Sequence, residues 1–143
     1  MSIDTARNEF YQVSASWLKE ASDLECAQHA LKKWSMFLPE NLKKHEIQFH
    51  DGAIVPRGGN KLYEGMSMVG INTCALCQKY NADGDGSCYL CPFYRFNGNV
   101  KCYRVNKSGV DYYDQGKSNP EIMVEALQEL VENLQVEEDV KNL

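Results

Sequence analysis

Much is missing from this chain, and each absence narrows what it can be. No apolar run approaches the roughly 18 residues needed to span a bilayer, so no membrane association is expected. The opening residues, MSIDTARNEF, have neither a basic start nor an apolar stretch. No secretory signal is therefore expected, and the expected location is the cytoplasm. Neither G-x4-G-K-[ST] nor G-x-G-x-x-G occurs, which removes the two common phosphate-binding fingerprints. The segment RGGN at 57–60 can offer backbone amides to an anion, but it reads better as a flexible turn. No recognised spacing joins His45, His50, Asp51 and Asp83 into a catalytic set, and no enzymatic activity is expected.

What is present is concentrated. Five of the six cysteines fall between residues 74 and 102. Cys74 and Cys77 form one C-x2-C pair, Cys88 and Cys91 a second, and Cys102 follows. Two such turns can direct four thiolates at one centre, the tetrahedral set that Zn2+ takes in closed structural sites. Four sulfurs also suit iron, but the spacing matches neither the bacterial nor the plant ferredoxin pattern, so zinc is favoured. Disulfides are disfavoured in a reducing compartment. A thioredoxin-like redox pair should open a helix after a strand, whereas Cys91 precedes PFYRFNGN, which reads as strand and turn. The expected ligands are Cys74, Cys77, Cys88 and Cys91, with Cys102 as the alternative ligand, most readily in place of Cys88. Cys26, far upstream, reads as a small buried hydrophobe. His45 and His50 lie near a hairpin and are expected to stay outside a site that four thiolates already fill. NADGDG at 81–86 imitates the start of a calcium loop, but the twelfth position is Pro92 where a bidentate Glu is required.

CALC, then CYLCP, then a further cysteine after a short hairpin resembles the small cysteine-knuckle proteins encoded by tailed bacteriophages. The resemblance covers about residues 74–102. It implies a small accessory protein. For a phage-encoded chain it also implies action in the host cytoplasm, on a host protein, by analogy.

With 143 residues, 43% hydrophobic and 24% charged, the chain fits one domain with a modest core. Its expected class is α+β: an N-terminal helical part (1–46), a strand and loop part (47–117) holding the knuckles, a C-terminal helix (118–136) and a frayed acidic tail (137–143). Ile3, Ala6, Phe10, Val13 and Trp17 form an apolar helical stripe, continued by Leu24, Ala27, Leu31, Trp34 and Leu38. Ser22-Asp-Leu-Glu25 reads as a capping box, which splits the stripe into two helices. One continuous helix is the alternative, and it would invite a homodimer through the N-terminal helices. Asp51-Gly52 predicts a hairpin within 47–56, and Asn97-Gly98 predicts a second within 93–105. Asn119 and Pro120 start the last helix, whose face of Met123, Leu127, Leu130, Val131 and Leu134 should dock on the N-terminal helices.

Charge is unevenly spread. The net charge is −5, yet residues 79–107 carry five bases against two acids, and residues 111–143 carry nine acids against two bases. The expected function is a metal-stabilised, protein-binding accessory or inhibitor module. The alternative is a nucleic-acid-binding regulator that uses a basic aromatic ribbon over 93–104. In either case the binding residues are expected to be Tyr94, Arg95, Phe96, Lys101 and Arg104.

Overall fold

The computed structural model describes residues 15–50, 53–56, 66–67, 75–80, 90–102 and 104–143. The architecture is α+β and dominated by helix. Its elements are α1 (Ala15–Glu20), α2 (Asp23–Ser35), α3 (Pro39–Lys44), β1 (Ile47–His50), β2 (Ala53–Pro56), β3 (Met66–Ser67), α4 (Ala75–Tyr80), α5 (Pro92–Phe96), α6 (Tyr112–Gly116) and α7 (Pro120–Lys141). The apolar stripe over residues 3–13 lies outside the described residues.

The break between α1 and α2 is made by the capping box. The Ser22 hydroxyl accepts the Glu25 amide at 3.1 Å, and the Glu25 carboxylate accepts the Ser22 amide at 3.1 Å. Both donors would be orphaned at a helix start, so the chain turns here instead of running on as one long helix. Leu24, Ala27 and Trp34 are buried within this chain. That face of the stripe is therefore spent internally and is not left for a second copy. Pro39 ends the preceding turn and sits at the first position of α3.

β1 and β2 pair antiparallel, His50 opposite Ala53, as the Asp51-Gly52 signal predicts; residues 51 and 52 themselves lie outside the described set. β3 adds to β2, giving the order β1-β2-β3. Pro56 pairs with Ile47 beyond the reach of β3, where its missing N–H costs nothing on that side. Ile47 and Ile54 are fully buried, and Phe49, directly opposite Ile54, stacks on Phe37 at 4.3 Å. Gln48, between the two apolar positions, points to solvent, so one face of the sheet closes the core.

α7 is the longest described element. Met123, Ala126, Leu127, Leu130 and Leu134 are buried, and α7 packs chiefly on α2 and then on α6. Glu125, Glu129 and Glu132 face solvent. Two expectations at its ends are corrected. Asn119 occupies the cap position, but its side chain makes no capping hydrogen bond. Residues 137–141 are helical and not a frayed tail. Along them Glu137 reaches Arg95 at 3.7 Å and Asp139 accepts from Gln135 at 3.1 Å. Glu137, Glu138 and Lys141 also line a small cavity against Ser22, Asp23 and Leu24 at the start of α2. Among the described residues no helix is long and apolar enough to cross a membrane.

Candidate metal centre and the basic loop

The cysteine-bearing stretches are tied to the helical core by two short helices. α4 begins directly after Cys74 and carries Cys77 at its third position. Its first two residues, Ala75 and Leu76, are buried, so the helix docks by its start against α2 and α1. Its end is clasped to the start of α2. The Lys79 ammonium donates to the Ala21 carbonyl at 2.8 Å and pairs with the Asp23 carboxylate at 3.2 Å. The Tyr80 hydroxyl donates to the same carboxylate.

Tyr80 senses its surroundings. Its phenol pKa is pushed well above the usual tyrosine value. Burial is the largest cause, followed by the hydrogen bond to Asp23 and the charge of that carboxylate, and then by the thiols of Cys91 and Cys26. The folded state favours the neutral phenol. Its contribution to stability is full below the unfolded value of 10.0 and is lost as pH rises from there through the raised folded value. Denaturant melts from about pH 8 to about pH 11 should show falling stability in the parent and a flatter profile in Tyr80→Phe.

Cys91 is the N-cap of α5, with Pro92 at the first helical position and both Pro92 and Phe93 buried. Cys91 and Cys102 are half-buried and packed against the main core, and Cys26 is fully buried on α2. Cys74 and Cys88 lie outside the described residues, as do NADGDG at 81–86 and RGGN at 57–60. Among the described residues no three His, Cys, Asp or Glu side chains gather into a metal-binding group. His45 is buried beneath the α3–β1 turn.

The second expected hairpin is corrected. Residues 92–96 are the helix α5. Asn97-Gly98 is its C-terminal cap and not a hairpin turn. Asn99 donates to Tyr94 O at 2.9 Å and Gly98 to Arg95 O at 3.2 Å, the paired bonds of a Schellman motif. Gly98 at φ 74° and Asn99 at φ 63° supply the left-handed conformation that the motif needs. This also removes the ground on which a redox role was set aside, since a helix does follow Cys91. The pair Cys88–Cys91 nevertheless ends at the cap of α5 and does not open the helix.

The expected binding residues are thereby separated into two groups. Tyr94, Arg95 and Phe96 lie on α5, while Lys101 and Arg104 lie on the loop that follows it. Arg95 is exposed and paired with Glu137, Tyr94 and Lys101 are half-buried, and Arg104 is exposed. Phe96 packs with Phe93 (5.5 Å between ring centroids) and Tyr112 (6.4 Å), and Phe93 meets Tyr112 edge-on at 5.7 Å. These rings pack on one another, Phe93 buried and Phe96 and Tyr112 half-buried.

The loop 97–110 is fixed by two asparagines that sequence reasoning missed. Asn97, 4% exposed, donates its amide to Val100 O at 3.0 Å and Lys101 O at 3.3 Å, and accepts from the Asn106 amide at 2.9 Å. The Asn106 carbonyl oxygen accepts the amides of Ser108 at 2.8 Å and Val110 at 3.0 Å. The Tyr113 amide, at the start of α6, donates to Cys102 O at 3.1 Å. Asp111 then caps α6 by accepting the Asp114 amide at 2.9 Å. Asn97→Ala would leave the Val100 carbonyl and the Asn106 amide without their Asn97 partner, while Lys101 O keeps the Arg104 amide at 2.9 Å. It should lower unfolding free energy by about 1–3 kcal/mol in urea titrations and expose loop amides to hydrogen exchange.

No protein-family model, no curated protein and no solved structure matches this chain.

Proposed function

We propose that this chain is a small protein-binding accessory or inhibitor module, stabilised by Zn2+ held on Cys74, Cys77, Cys88 and Cys91, with Cys102 as the alternative ligand. The observation that carries the protein-binding reading is the inward packing of Phe93, Phe96 and Tyr112. A single-stranded nucleic-acid binder needs aromatic faces in reach of bases. Here Phe93, Phe96 and Tyr112 pack on one another between α5 and α6, while Arg95 and Arg104 are exposed. The metal reading is supported by the paired cysteine spacing, by the placement of Cys91 and Cys102 against the main core, and by the docking of both α4 and α5 on the same helical core. Zinc would supply folding energy where the strands are short and few. The likeness to phage cysteine-knuckle proteins extends the reading to a host protein as the partner, met in the host cytoplasm.

The test is affinity capture with the tagged chain from bacterial lysate, followed by quantification of co-purifying species. Recovery of a protein in stoichiometric amount is the expected result. Capture of none overturns the reading. A nucleic-acid-binding regulator is the second reading, favoured by the acid-free basic run from residue 90 to residue 110. Oligonucleotide affinity that falls steeply with salt would establish it in place of the first.

A further inference from the structure

We infer that Asn97-Gly98 is a self-modification site: the fold holds off deamidation of Asn97, and opening of the α5 cap starts it. The inference is independent of any partner. This is the one Asn-Gly step in the chain. In such a step the glycine nitrogen can reach the asparagine side chain, because the following residue has no Cβ to obstruct it. The Gly98 nitrogen gives up its proton to solvent and bonds to Asn97 Cγ. The Cγ–Nδ2 bond breaks, and the departing nitrogen takes up a proton and leaves as ammonia. A five-membered succinimide remains. Water then opens that ring at one carbonyl or the other, leaving aspartate or isoaspartate at position 97. Water is the only co-reactant, and the loss of ammonia makes the change one-way.

The structure keeps the reacting atoms apart. Asn97 is buried. Its Nδ2, the leaving group, donates to Val100 O at 3.0 Å and Lys101 O at 3.3 Å, and its Oδ1 accepts from Asn106 at 2.9 Å. The nucleophile is engaged as well, since Gly98 N donates to Arg95 O at 3.2 Å. At ψ 16° that nitrogen lies nearly eclipsed with the amide nitrogen of Asn97 itself. It is therefore turned away from Cβ, whereas ring closure needs it turned toward the side chain. The rotation breaks the Gly98 bond and displaces the Asn99 amide from Tyr94 O, the bond of 2.9 Å that ends α5. Reaction thus waits on local opening, and its rate reads the open fraction. The product does not restore the closed state. An aspartate has no N–H for the Val100 and Lys101 carbonyls and sets a negative charge against them. An isoaspartate also adds a methylene to the main chain just ahead of Gly98 and Asn99, whose positive φ values make the cap.

The test incubates the full chain in mildly alkaline buffer, folded and in urea, and follows position 97 by peptide mapping and mass spectrometry. Asn97 is expected to convert at least about tenfold more slowly in the folded chain than in urea. Asn106→Ala removes the donor to Asn97 Oδ1 and should speed conversion severalfold in the folded chain, with the rate in urea unchanged. Equal rates for the parent in buffer and in urea overturn the inference. So does a folded Asn106→Ala chain that converts no faster than the parent. The parent comparison needs no variant, so it decides even where Asn106→Ala fails to fold. Asn97→Asp reproduces one of the two products and tests the consequence. Faster hydrogen exchange of the Gly98 and Asn99 amides than in the parent is expected. Exchange there at the parent rate would overturn the one-way release of the cap.

Discussion

Cys77→Ser is expected to lose its metal on purification and to unfold at a much lower temperature than the parent. Structural zinc in small domains carries apparent binding free energies of about 10–16 kcal/mol at neutral pH, and binding is coupled to folding. On the proposed ligand set, removing one of four thiolates would forfeit a large part of that. The loss would not stay local. Cys77 sits within α4, whose Ala75 and Leu76 are buried and whose Lys79 and Tyr80 clasp the start of α2. If the metal no longer fixes the stretch around α4, the α2 start loses its Asp23 partners and the core loses two of its side chains. Elemental analysis and thermal melts on protein purified without added metal give the readout. About one zinc per parent chain and substantially less in the variant is the expected pair of values. Full metal content together with an unchanged melt would show that Cys77 is no ligand. Iron with visible charge-transfer bands would replace the zinc assignment. Cys102→Ser is the companion variant: retained zinc places the site on the two C-x2-C pairs, whereas its loss moves Cys102 into the ligand set.

Where the sequence was read correctly, a local signal and a packing demand pointed the same way. Ser22 and Glu25 mark a helix start by side-chain chemistry alone, and Leu24, Ala27 and Trp34 behind them need a core to face. The apolar face of α7 was legible for the same reason, although Ala126 escaped notice because alanine adds little to a periodic pattern. The reading of residues 93–105 failed because one dipeptide serves two ends. Asn97-Gly98 supplies positive φ to a hairpin turn and to a helix C-cap alike. The alternation of aromatics with Arg95 suggested a strand, but five residues cannot distinguish period two from period 3.6. The decisive mark was present: Pro92 just inside a helix start and Gly98 just past its end is the ordinary asymmetry of a short helix. The charged tail was misread from composition: the helix runs on to Lys141. The Asn97–Asn106 lock could not be read at all, because asparagines in a polar loop carry no periodicity and reveal their partners only in three dimensions.

The correction at α5 changes the functional argument more than the fold. As a β-ribbon, residues 93–104 would have displayed aromatics and bases side by side, which suits nucleic acid. As a helix followed by a locked loop, the same residues divide by kind. Phe93 and Phe96 turn inward onto Tyr112, and Arg104, Val105 and Lys107 are left outside. Composition limits which chemistries are available in this stretch, and backbone geometry decides which of them is exposed.

Trp34→Ala should be the most damaging single substitution in the helical core, lowering unfolding free energy by about 3–5 kcal/mol. Trp34 is 3% exposed and sits where three helices meet. Its ring meets Phe37 edge-on at 5.3 Å, and Phe37 passes the contact on to Phe49 of the sheet. On its other side the ring lies against Gly116 at the end of α6, so closely that a Cβ there would stand 3.1 Å from two ring carbons and 3.4 Å from Met123 of α7. The Lys33 ammonium lies 5.6 Å from the ring centroid. An alanine would open a cavity bounded by α2, α6 and α7, and Gly116 has no side chain with which to fill it. Domains of this size hold roughly 5–15 kcal/mol in all, so a loss of this order brings the variant close to unfolding at room temperature. Trp34→Phe keeps most of the ring volume and should cost clearly less. Guanidinium titrations of the three proteins, with unchanged slopes and midpoints ordered parent, Phe, Ala, would establish Trp34 as the keystone of the helical core. A midpoint for the alanine variant within error of the parent would show that α6 and α7 close over the site without it.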